Sequence, residues 1–508
     1  MQPDETVDLC VIGGGVNGTG IARDAAGRGL SVTLAEQGDL AEGTSSRSGK
    51  LVHGGLRYLE YYEFRLVREA LIEREMLLRA APHIIWPMRF VLPHSAIERP
   101  AWLVRAGLFL YDHLGGRKLL PGTRSLALST APEGEVVKPE YKRGFEYSDC
   151  WVDDARLTVL NALGAHEKGA TILTRTRCTG AQRQDGLWHI ELTDVRSART
   201  TTLRARALIN AAGPWVNRVI DSISDVQSQR NVRMVKGSHL IMKKFWQGEH
   251  AFLIQNDDKR VIFVNPYEGD YALIGTTDIA CEGDPAVVII DEAEINYLLR
   301  VMNRYFINQF SRRDVLSTFS GVRPLYDDNS DNPSAVTRDY VFDVNASAGN
   351  AALLTVYGGK ITTYRKLAEH ALDKLSTHLP ASGQRWTASE PLPGGDIANA
   401  DFEHWLAQLP ARYPLLPPEL LRHYARLYGT RCHVLLDGVS TVDHLGENFS
   451  PQFHEVEARY LVDHEWAQSV EDILDRRTKH GLHMSTAEQT AFGEWFARQY
   501  PQWTSTIT

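Results

Sequence analysis

The chain has 508 residues, of which 43% are hydrophobic, and its 55 basic and 63 acidic residues give a net charge of −8. This length predicts two or three domains with large cores, and the lack of long basic runs excludes nucleic acid as an expected partner. The five scattered cysteines show neither C-x-x-C nor metal-ligand spacing, so reduced thiols in a cytosolic protein are expected and no metal site is predicted.

The clearest motif lies near the N-terminus, where residues 7–36 read as a strand, a glycine turn, a helix and a second strand. Gly13, Gly15 and Gly18 have the G-x-G-x-x-G spacing that lets a pyrophosphate approach the start of a helix. Glu36 closes the second strand, where an acid binds ribose hydroxyls and disfavours a 2′-phosphate. The motif therefore predicts a dinucleotide site for FAD or NAD rather than NADP.

The next segment, residues 43–59, is rich in glycine and hydroxyl side chains and suits a second pyrophosphate contact; an ordinary serine-glycine loop is the alternative. Residues 61–80 have the periodicity of a structural helix. Residues 102–111 predict either a buried helix, which we favour, or a helix on a membrane surface. If the helix lies on a membrane surface, the cationic groups that face lipid would be Arg99, Arg105, Arg117 and Lys118. No apolar window is long enough to span a bilayer, and no signal peptide is expected.

Further along, a helix is predicted at residues 153–168, and strands follow at 169–177, 187–192 and 205–213. Short β-like runs between residues 231 and 325, with a helix at 291–306, predict a mostly antiparallel sheet inserted between nucleotide-binding segments. Residues 352–375 repeat the strand, glycine turn and helix pattern, so a second helix N-terminus is expected at the cofactor. After a linker, helical patterns predict a separate C-terminal domain at residues 402–409, 418–428, 455–466 and 470–477.

Several motifs accompany the glycine fingerprint in a fixed order: Thr44-Ser45-Ser46, His53-Gly-Gly-Leu-Arg-Tyr-Leu59, Arg143 to Asp154, Gly275-Thr-Thr-Asp278, Ser320-Gly-Val-Arg-Pro324 and Gly358-Gly-Lys-Ile-Thr-Thr363. As an ordered set they resemble the bacterial, FAD-dependent, aerobic glycerol-3-phosphate dehydrogenases from about residue 6 to the end of the chain. The resemblance implies an α/β fold (α+β overall) with a glutathione-reductase-like FAD domain of the D-amino-acid-oxidase type, an inserted, mostly antiparallel substrate-binding cap and an α-helical C-terminal domain. The expected bounds are 1–385 for the FAD-binding domain (segments about 1–80, 151–215 and 321–385), interleaved with the cap (about 81–150 and 216–320), and 386–508 for the C-terminal domain.

The same resemblance implies that the enzyme oxidises sn-glycerol 3-phosphate to dihydroxyacetone phosphate by hydride transfer to FAD and passes the electrons to ubiquinone. Quinone as acceptor implies a peripheral position on the cytoplasmic face of the membrane, and a homodimer is left open. The alternative from the same fold is an amine or amino-acid oxidase that uses oxygen. A non-catalytic flavin-binding protein is a third hypothesis.

Carried over by position, Arg57 and Arg323 would bind the substrate phosphate or take part in the oxidation, since guanidinium groups bind phosphate bidentately. Tyr58, His239 and Lys360 would lie near the reacting carbon. Thr277 is a further expected substrate contact. The expected cofactor contacts are Gly13, Gly14, Gly15, Asn17, Gly18, Glu36, Thr44, Ser45, Ser46, Lys50, His53, Gly54, Arg177, Ala212, Gly213, Trp215, Gly358, Gly359, Lys360, Ile361 and Thr362.

The proton of the substrate hydroxyl is expected to go to His239 or to an arginine-assisted pathway, because the ordinary pKa of histidine, about 6.5, lies in the working range. Lys360 is expected to stabilise developing negative charge. Arg47 and Gly49 depart from the small or hydroxyl residues usual in this part of the family. Since Thr44 to Ser46 are retained, we expect FAD binding to persist.

Overall fold

The computed structural model describes residues 6–95, 100–223, 226, 230–258, 260–327, 339–346 and 350–504. Arg99, one of the cations proposed to face a membrane, lies outside the described residues.

The strands occur throughout the first two thirds of the chain, with one short hairpin near the end. Their bounds are β1 (Thr6–Ile12), β2 (Val32–Ala35), β3 (Leu51–Val52), β4 (Ile85–His94), β5 (Arg124–Ala127), β6 (Arg143–Val152), β7 (Thr171–Leu173), β8 (Thr176–Gln184), β9 (Leu187–Asp194), β10 (Thr200–Asn210), β11 (Val232–Lys243), β12 (Ala251–Gln255), β13 (Val261–Tyr267), β14 (Tyr271–Gly275), β15 (Ile279–Ala280), β16 (Val315–Tyr326), β17 (Val341–Asn345), β18 (Ala352–Tyr357), β19 (Asn448–Ser450) and β20 (Phe453–His454).

The helices connect these strands and make up most of the C-terminal part. Their bounds are α1 (Val16–Gly27), α2 (Phe64–Ala80), α3 (Ala101–Leu114), α4 (Asp154–Glu167), α5 (Val216–Asp221), α6 (Glu292–Tyr305), α7 (Tyr364–Leu375), α8 (Phe402–Leu406), α9 (Leu409–Arg412), α10 (Pro418–Tyr428), α11 (Cys432–Leu435), α12 (Glu455–Glu465), α13 (Thr486–Gln499) and α14 (Pro501–Thr504).

A mostly parallel sheet forms the nucleotide-binding half. Its strands run in the order β17-β18-β10-β1-β2-β7, with the β8–β9 hairpin attached through β10. Strands β18, β10, β1, β2 and β7 are mutually parallel, as the crossover helices α1, α4 and α7 require. These helices bury small and branched residues such as Ala22, Ala162 and Leu367 against one face of the sheet, while Trp188 packs on the other face. The carboxyl ends of β1, β10 and β18 therefore meet at one edge, where such folds bind nucleotides.

The second sheet is mostly antiparallel and lies beside that edge. Its order is β15-β11-β14-β13-β12-β4-β6-β3, with β16 paired to β11 and β5 paired to β6. Helix α6 packs on one face, where Leu298 and Met302 are fully buried among Ile262 and Ile274. Strands β3 and part of β16 come from segments that the sequence analysis placed in the FAD-binding domain.

The predicted helices at 153–168, 291–306 and 364–375 correspond to α4, α6 and α7. The favoured interpretation of residues 102–111 as a buried helix is wrong. Helix α3 buries only Leu108 and Tyr111, while Trp102 is 71% exposed and Phe109 is 65% exposed. Apolar residues occur on all faces of α3, and a single helix on a protein surface can bury only one of its faces. None of the described helices is long and apolar enough to cross a bilayer.

The C-terminal helices form a core of their own around buried aromatic side chains, including Phe453, Phe492 and Trp495. The hairpin β19–β20 and helix α13 were not predicted from the sequence. Buried ion pairs join this domain to the rest: Arg156 of α4 pairs with Glu465 of α12, and Lys479 pairs with Asp153.

Candidate active site

A cavity of about 1740 Å³ lies between the carboxyl edge of the parallel sheet and the antiparallel sheet; we call it the main cavity. Its volume exceeds the roughly 300–1,000 Å³ of a typical small-molecule pocket, so it has room for a dinucleotide and a substrate together.

The glycine turn between β1 and α1 leaves no space for side chains. Gly13 has a φ of +114°, and a Cβ atom at Gly18 would lie 1.9 Å from the carbonyl oxygen of Gly13. The N-terminus of α1 is thereby held against the sheet and lines the main cavity through Gly15 and Asn17. The side-chain oxygen of Asn17 is buried and accepts no hydrogen bond from any residue that the structure describes. A bound group with a hydroxyl or amide donor would satisfy it, which fits a nucleotide cofactor.

Glu36, at the end of β2, lines the same part of the cavity. Its two carboxylate oxygens accept hydrogen bonds from the backbone N–H groups of Gly14 (2.6 Å) and Gly38 (2.7 Å). Burial nevertheless raises the pKa of the Glu36 carboxyl. Each oxygen keeps a lone pair, so the residue can accept hydrogen bonds from ribose hydroxyls while its orientation is fixed by the backbone.

The hydroxyl-rich loop is held in place by several internal bonds. Ser45 Oγ accepts a hydrogen bond from the Val16 N–H (3.0 Å), at the first turn of α1. Lys50 forms a buried ion pair with Asp154 (2.7 Å) and donates to the Ser46 carbonyl (3.1 Å). The lysine ammonium therefore faces the protein interior, and its role here is to hold the loop.

Pairing of β11 with β16 brings His239 and Arg323 to the wall of the main cavity. The two residues lie on the same face of this strand pair, because residues alternate along each strand. Glycines beside them provide the room: a Cβ atom at Gly275 would lie 2.1 Å from the His239 ring, and one at Gly237 would lie 2.6 Å from Arg323 Nη2.

Arg323 is held by a hydrogen bond and an ion pair. Its Nη2 donates to the Thr277 carbonyl (2.8 Å) and forms an ion pair with Asp278 (2.8 Å). Lys360 lies in the turn after β18, with its Nζ 4.1 Å from the centre of the Tyr58 ring. Arg57 lines the cavity nearby, and its Nη2 donates to the Tyr61 hydroxyl (3.3 Å). Three cationic side chains thus line the main cavity with His239.

His239 is buried and stacks on Phe319, with ring centres 4.7 Å apart. Burial, with the nearby charges of Lys50 and Arg323, lowers the pKa of His239 to about 3. The imidazole is therefore neutral near pH 7. Its Nδ1 forms no hydrogen bond within the part of the chain that the structure describes. A neutral ring with an unused nitrogen can bind a hydroxyl group.

Most of the predicted site residues line the main cavity: Gly13, Gly15, Asn17, Glu36, Thr44, Ser45, His53, Gly54, Arg57, Tyr58, Arg177, Ala212, Gly213, Trp215, His239, Arg323, Gly358, Gly359, Lys360, Ile361 and Thr362. The structure places five others behind this wall: Gly14, Gly18, Ser46, Lys50 and Thr277. Thr277 is buried, donating to Glu294 (2.7 Å) and accepting from the Ser238 N–H (2.9 Å).

Asp278 and Thr276 were not predicted as site residues, although both line the cavity and Asp278 pairs with Arg323. Their position in the Gly-Thr-Thr-Asp motif was the available signal. Arg47, one of the two departures from the family pattern, also lines the cavity and donates to the Ser320 carbonyl (3.1 Å).

One rim of the main cavity is apolar. Tyr61, Tyr62 and Phe64 line it from one side, and Leu103 and Leu110 of α3 from the other. All five side chains are at least 36% exposed. Exposed apolar side chains are therefore part of the cavity lining.

The comparisons with known proteins agree with this geometry. A family model described as FAD dependent oxidoreductase matches residues 8–365, and one described as the C-terminal domain of alpha-glycerophosphate oxidase matches residues 385–495. D-erythritol 1-phosphate dehydrogenase of Brucella abortus is 63% identical, over 98% of this chain and 99% of the relative. Aerobic glycerol-3-phosphate dehydrogenase of Escherichia coli is 52% identical, over 98% of each. The crystal structure of a glycerol-3-phosphate dehydrogenase from Bacillus halodurans complexed with FAD is 27% identical, with a TM-score of 0.78, covering 99% of this chain and 92% of that one.

These matches confirm the predicted fold class and FAD as the cofactor, and they confirm the family resemblance that the ordered motifs indicated. The chain belongs to the FAD-dependent oxidoreductase family that includes the aerobic glycerol-3-phosphate dehydrogenases.

Proposed function

We propose that this enzyme oxidises the secondary alcohol of a polyol phosphate, with sn-glycerol 3-phosphate converted to dihydroxyacetone phosphate. The observation that carries the proposal is that Arg57, Arg323 and Lys360 line the same cavity as the buried, neutral His239. The names of the relatives support it, since each acts on a phosphorylated polyol.

Bound FAD supplies the acceptor for the hydride that leaves the substrate carbon. The guanidinium and ammonium groups would bind the phosphate dianion and orient the carbon chain. Arg323 suits this role because Asp278 and the Thr277 carbonyl fix its planar group.

His239 would accept the proton of the hydroxyl group as the hydride leaves. Its pKa of about 3 makes it a weak base in the free enzyme. A phosphate dianion bound between the cations opposes the positive charges that help to lower this pKa, so substrate binding would raise the basicity of the ring. Lys360 would stabilise negative charge that develops on the substrate oxygen.

A second candidate substrate is D-erythritol 1-phosphate. The observation that favours it is the 63% identity to the Brucella abortus enzyme, compared with 52% to the Escherichia coli enzyme. Both compounds carry a phosphate at one end and a secondary alcohol for oxidation, so the chemistry assigned to the cations and to His239 is the same.

Anaerobic reduction of the flavin tests the proposal directly. The purified enzyme is mixed separately with sn-glycerol 3-phosphate, D-erythritol 1-phosphate and glycine, and bleaching of the flavin bands is followed by stopped flow. Bleaching by a polyol phosphate supports the proposal, and the ratio of second-order rate constants assigns the preferred substrate. Bleaching by glycine alone would favour the amino-acid oxidase alternative, and a flavin that none of them reduces would favour a non-catalytic role.

We also propose ubiquinone as the electron acceptor and a peripheral position on the cytoplasmic face of the membrane. What supports this is the apolar rim of the main cavity and the exposed Trp102 and Phe109 of α3. Apolar side chains of this kind bind at the headgroup boundary of a bilayer, where quinones are available. The exposed Arg105 on the same helix would contact anionic headgroups.

A further inference from the structure

Three side chains that commonly bind metals meet inside the C-terminal domain, away from the main cavity. His423 lies on α10, Glu457 lies in the first turn of α12, and His480 begins a short 3-10 turn, His480–Leu482. We refer to these three residues as the His-Glu-His cluster. None of them lines the main cavity, so the proposed oxidation does not use them.

The donor atoms of the cluster lie close together. The Nε2 atom of His423 lies 2.9 Å from one carboxylate oxygen of Glu457, and the Nε2 atom of His480 lies 3.1 Å from the other. All the donor atoms lie within 4.8 Å of one another. In a tetrahedral zinc site with bonds of about 2.0–2.1 Å, adjacent ligand atoms are about 3.3 Å apart. The two distances between a histidine and the carboxylate are within a few tenths of an ångström of that spacing.

The cluster is buried, and the carboxylate lacks a permanent cationic partner. Glu457 is fully buried, and its ion pairs within the described part of the chain are with His423 and His480 only. Burying a carboxylate is costly unless its charge is compensated, and a divalent cation would compensate it.

Neighbouring residues fix the donor groups. The Tyr428 hydroxyl donates to Glu457 (2.7 Å), and Phe453 stacks on the His480 ring with centres 4.5 Å apart. Hydrogen bonds to a ligating carboxylate and packing around a ligating ring are typical of the groups that orient metal ligands. The His423 side chain is 12% exposed, which gives water access to the cluster from one side.

We propose that the His-Glu-His cluster is a structural zinc site, in which His423, Glu457 and His480 are the protein ligands and water is the fourth. Two imidazoles and a carboxylate form a donor set that suits Zn²⁺. The ion would join α10, α12 and the turn at His480. That turn begins three residues after Arg477, which together with Arg476 binds Asp39 near the nucleotide-binding strand β2.

The test uses the full-length, FAD-loaded enzyme, stripped with a chelator and then dialysed against buffered Zn²⁺. We expect retention of about one zinc per chain and a higher midpoint of thermal unfolding with zinc, since a ligand that binds only the folded state stabilises it. The informative variant is His480→Gln, because a glutamine amide can still donate a hydrogen bond to Glu457 but is a poor zinc ligand. His480→Gln should bind zinc at least about 10-fold more weakly. The exposed His404, changed to Gln, is the matched control and should behave like the unaltered enzyme.

Equal zinc retention by the unaltered enzyme and His480→Gln would overturn the proposal, as would the absence of both retention and a thermal shift in the unaltered enzyme. In either case the cluster is a hydrogen-bonded carboxylate. If His480→Gln does not yield folded protein, His423→Gln replaces it, and the zinc-dependent shift of the unaltered enzyme decides independently. Flavin reduction by the polyol phosphates is measured separately, so failure of the zinc site and failure of the proposed function are distinguishable.

Discussion

Two buried histidines, His83 and His239, show how burial sets the chemistry of a single side chain. Burial is the main cause that lowers the pKa of each to about 3, and nearby arginines contribute in both cases. His239 lines the main cavity, where we propose that it binds substrate. His83 is fully buried beside Gly394 and Gly429, and neither of its ring nitrogens bonds to any described residue. The same desolvation keeps the His239 ring neutral in the main cavity and makes protonation of His83 unfavourable in the folded protein at low pH.

We predict that His83→Leu makes the protein more resistant to acid. With a folded-state pKa of about 3 and an unfolded-state pKa of about 6.5, the unfolded chain binds the proton first, so stability is complete above about pH 6.5 and falls as the pH drops toward 3. At pH 5, protonation of His83 in the unfolded chain lowers the free energy of unfolding by about 2 kcal/mol. The difference between the unfolding midpoints of the variant and of the unaltered enzyme should therefore shift in favour of the variant as the pH is lowered from 7 to 5. The exposed His404, changed to Leu, is the control; a pH-independent difference for His83→Leu would contradict the argument.

The second prediction for a single residue concerns Arg323. Arg323→Lys keeps the charge but loses the planar group that bonds Thr277 and Asp278 and binds phosphate bidentately. Charged hydrogen bonds contribute about 1.5–3 kcal/mol, so kcat/KM for the polyol phosphate should fall about 10- to 100-fold. The flavin spectrum and FAD content should stay normal. Arg312→Lys, at an exposed pair with Glu292, is the control, and unchanged kinetics in Arg323→Lys would remove that residue from the site.

At the scale of elements, the sequence predicted best where a local rule decides the structure. The glycine turn, Glu36 and helix α7 follow from spacing and periodicity, and they lie where predicted. Strand β4 was missed because its prolines, Pro87 and Pro93, obscure the strand pattern. The pairing of β11 with β16, which places His239 and Arg323 on one face of the sheet, joins residues about 80 positions apart, and no local pattern indicates it. The His-Glu-His cluster could not be predicted from the sequence for the same reason, because its three residues lie on separate elements.

The prediction at the scale of elements concerns membrane binding by helix α3. Its outer face exposes Trp102 and Phe109, each of which would contribute about 1.5–3 kcal/mol on burial. The double variant Trp102→Gln, Phe109→Gln should bind anionic lipid vesicles at least about 10-fold more weakly in flotation assays. Its reduction by the polyol phosphate in solution should be unchanged. Leu415→Gln, at a 63% exposed residue of the C-terminal domain, is the control. Equal flotation of the double variant and the control would exclude α3 as the contact.

At the scale of the whole molecule, the C-terminal domain supports the cofactor site from behind. Arg477 forms two hydrogen bonds with Asp39 (2.6 and 2.9 Å), and Arg476 forms a third with the same carboxylate (2.7 Å). Asp39 lies three residues after Glu36, in the loop that follows β2. The position of the predicted ribose-binding carboxylate therefore depends on a domain that does not line the main cavity.

We expect Asp39→Asn to lower both stability and FAD retention, although residue 39 does not line the cavity. Removing one partner of a buried ion pair costs about 3–5 kcal/mol, because the other charge stays buried. The measurement is flavin fluorescence released during heating or dialysis, compared with Asp437→Asn at an exposed position of the C-terminal domain. Normal FAD retention by Asp39→Asn would show that the loop keeps its shape without the arginines.

The link between Asp39 and Arg477 also has a consequence for biosynthesis. The two residues are 438 positions apart, so the ribosome completes almost the whole polypeptide before the partner of Asp39 is made. Domains fold largely in order of synthesis, and the N-terminal βαβ unit emerges first. Its loop after β2 gains its arginine partners only after residues 476 and 477 have been made, so we expect stable flavin loading to follow their synthesis. Truncated chains that lack these arginines are expected to retain FAD less well than the full-length chain.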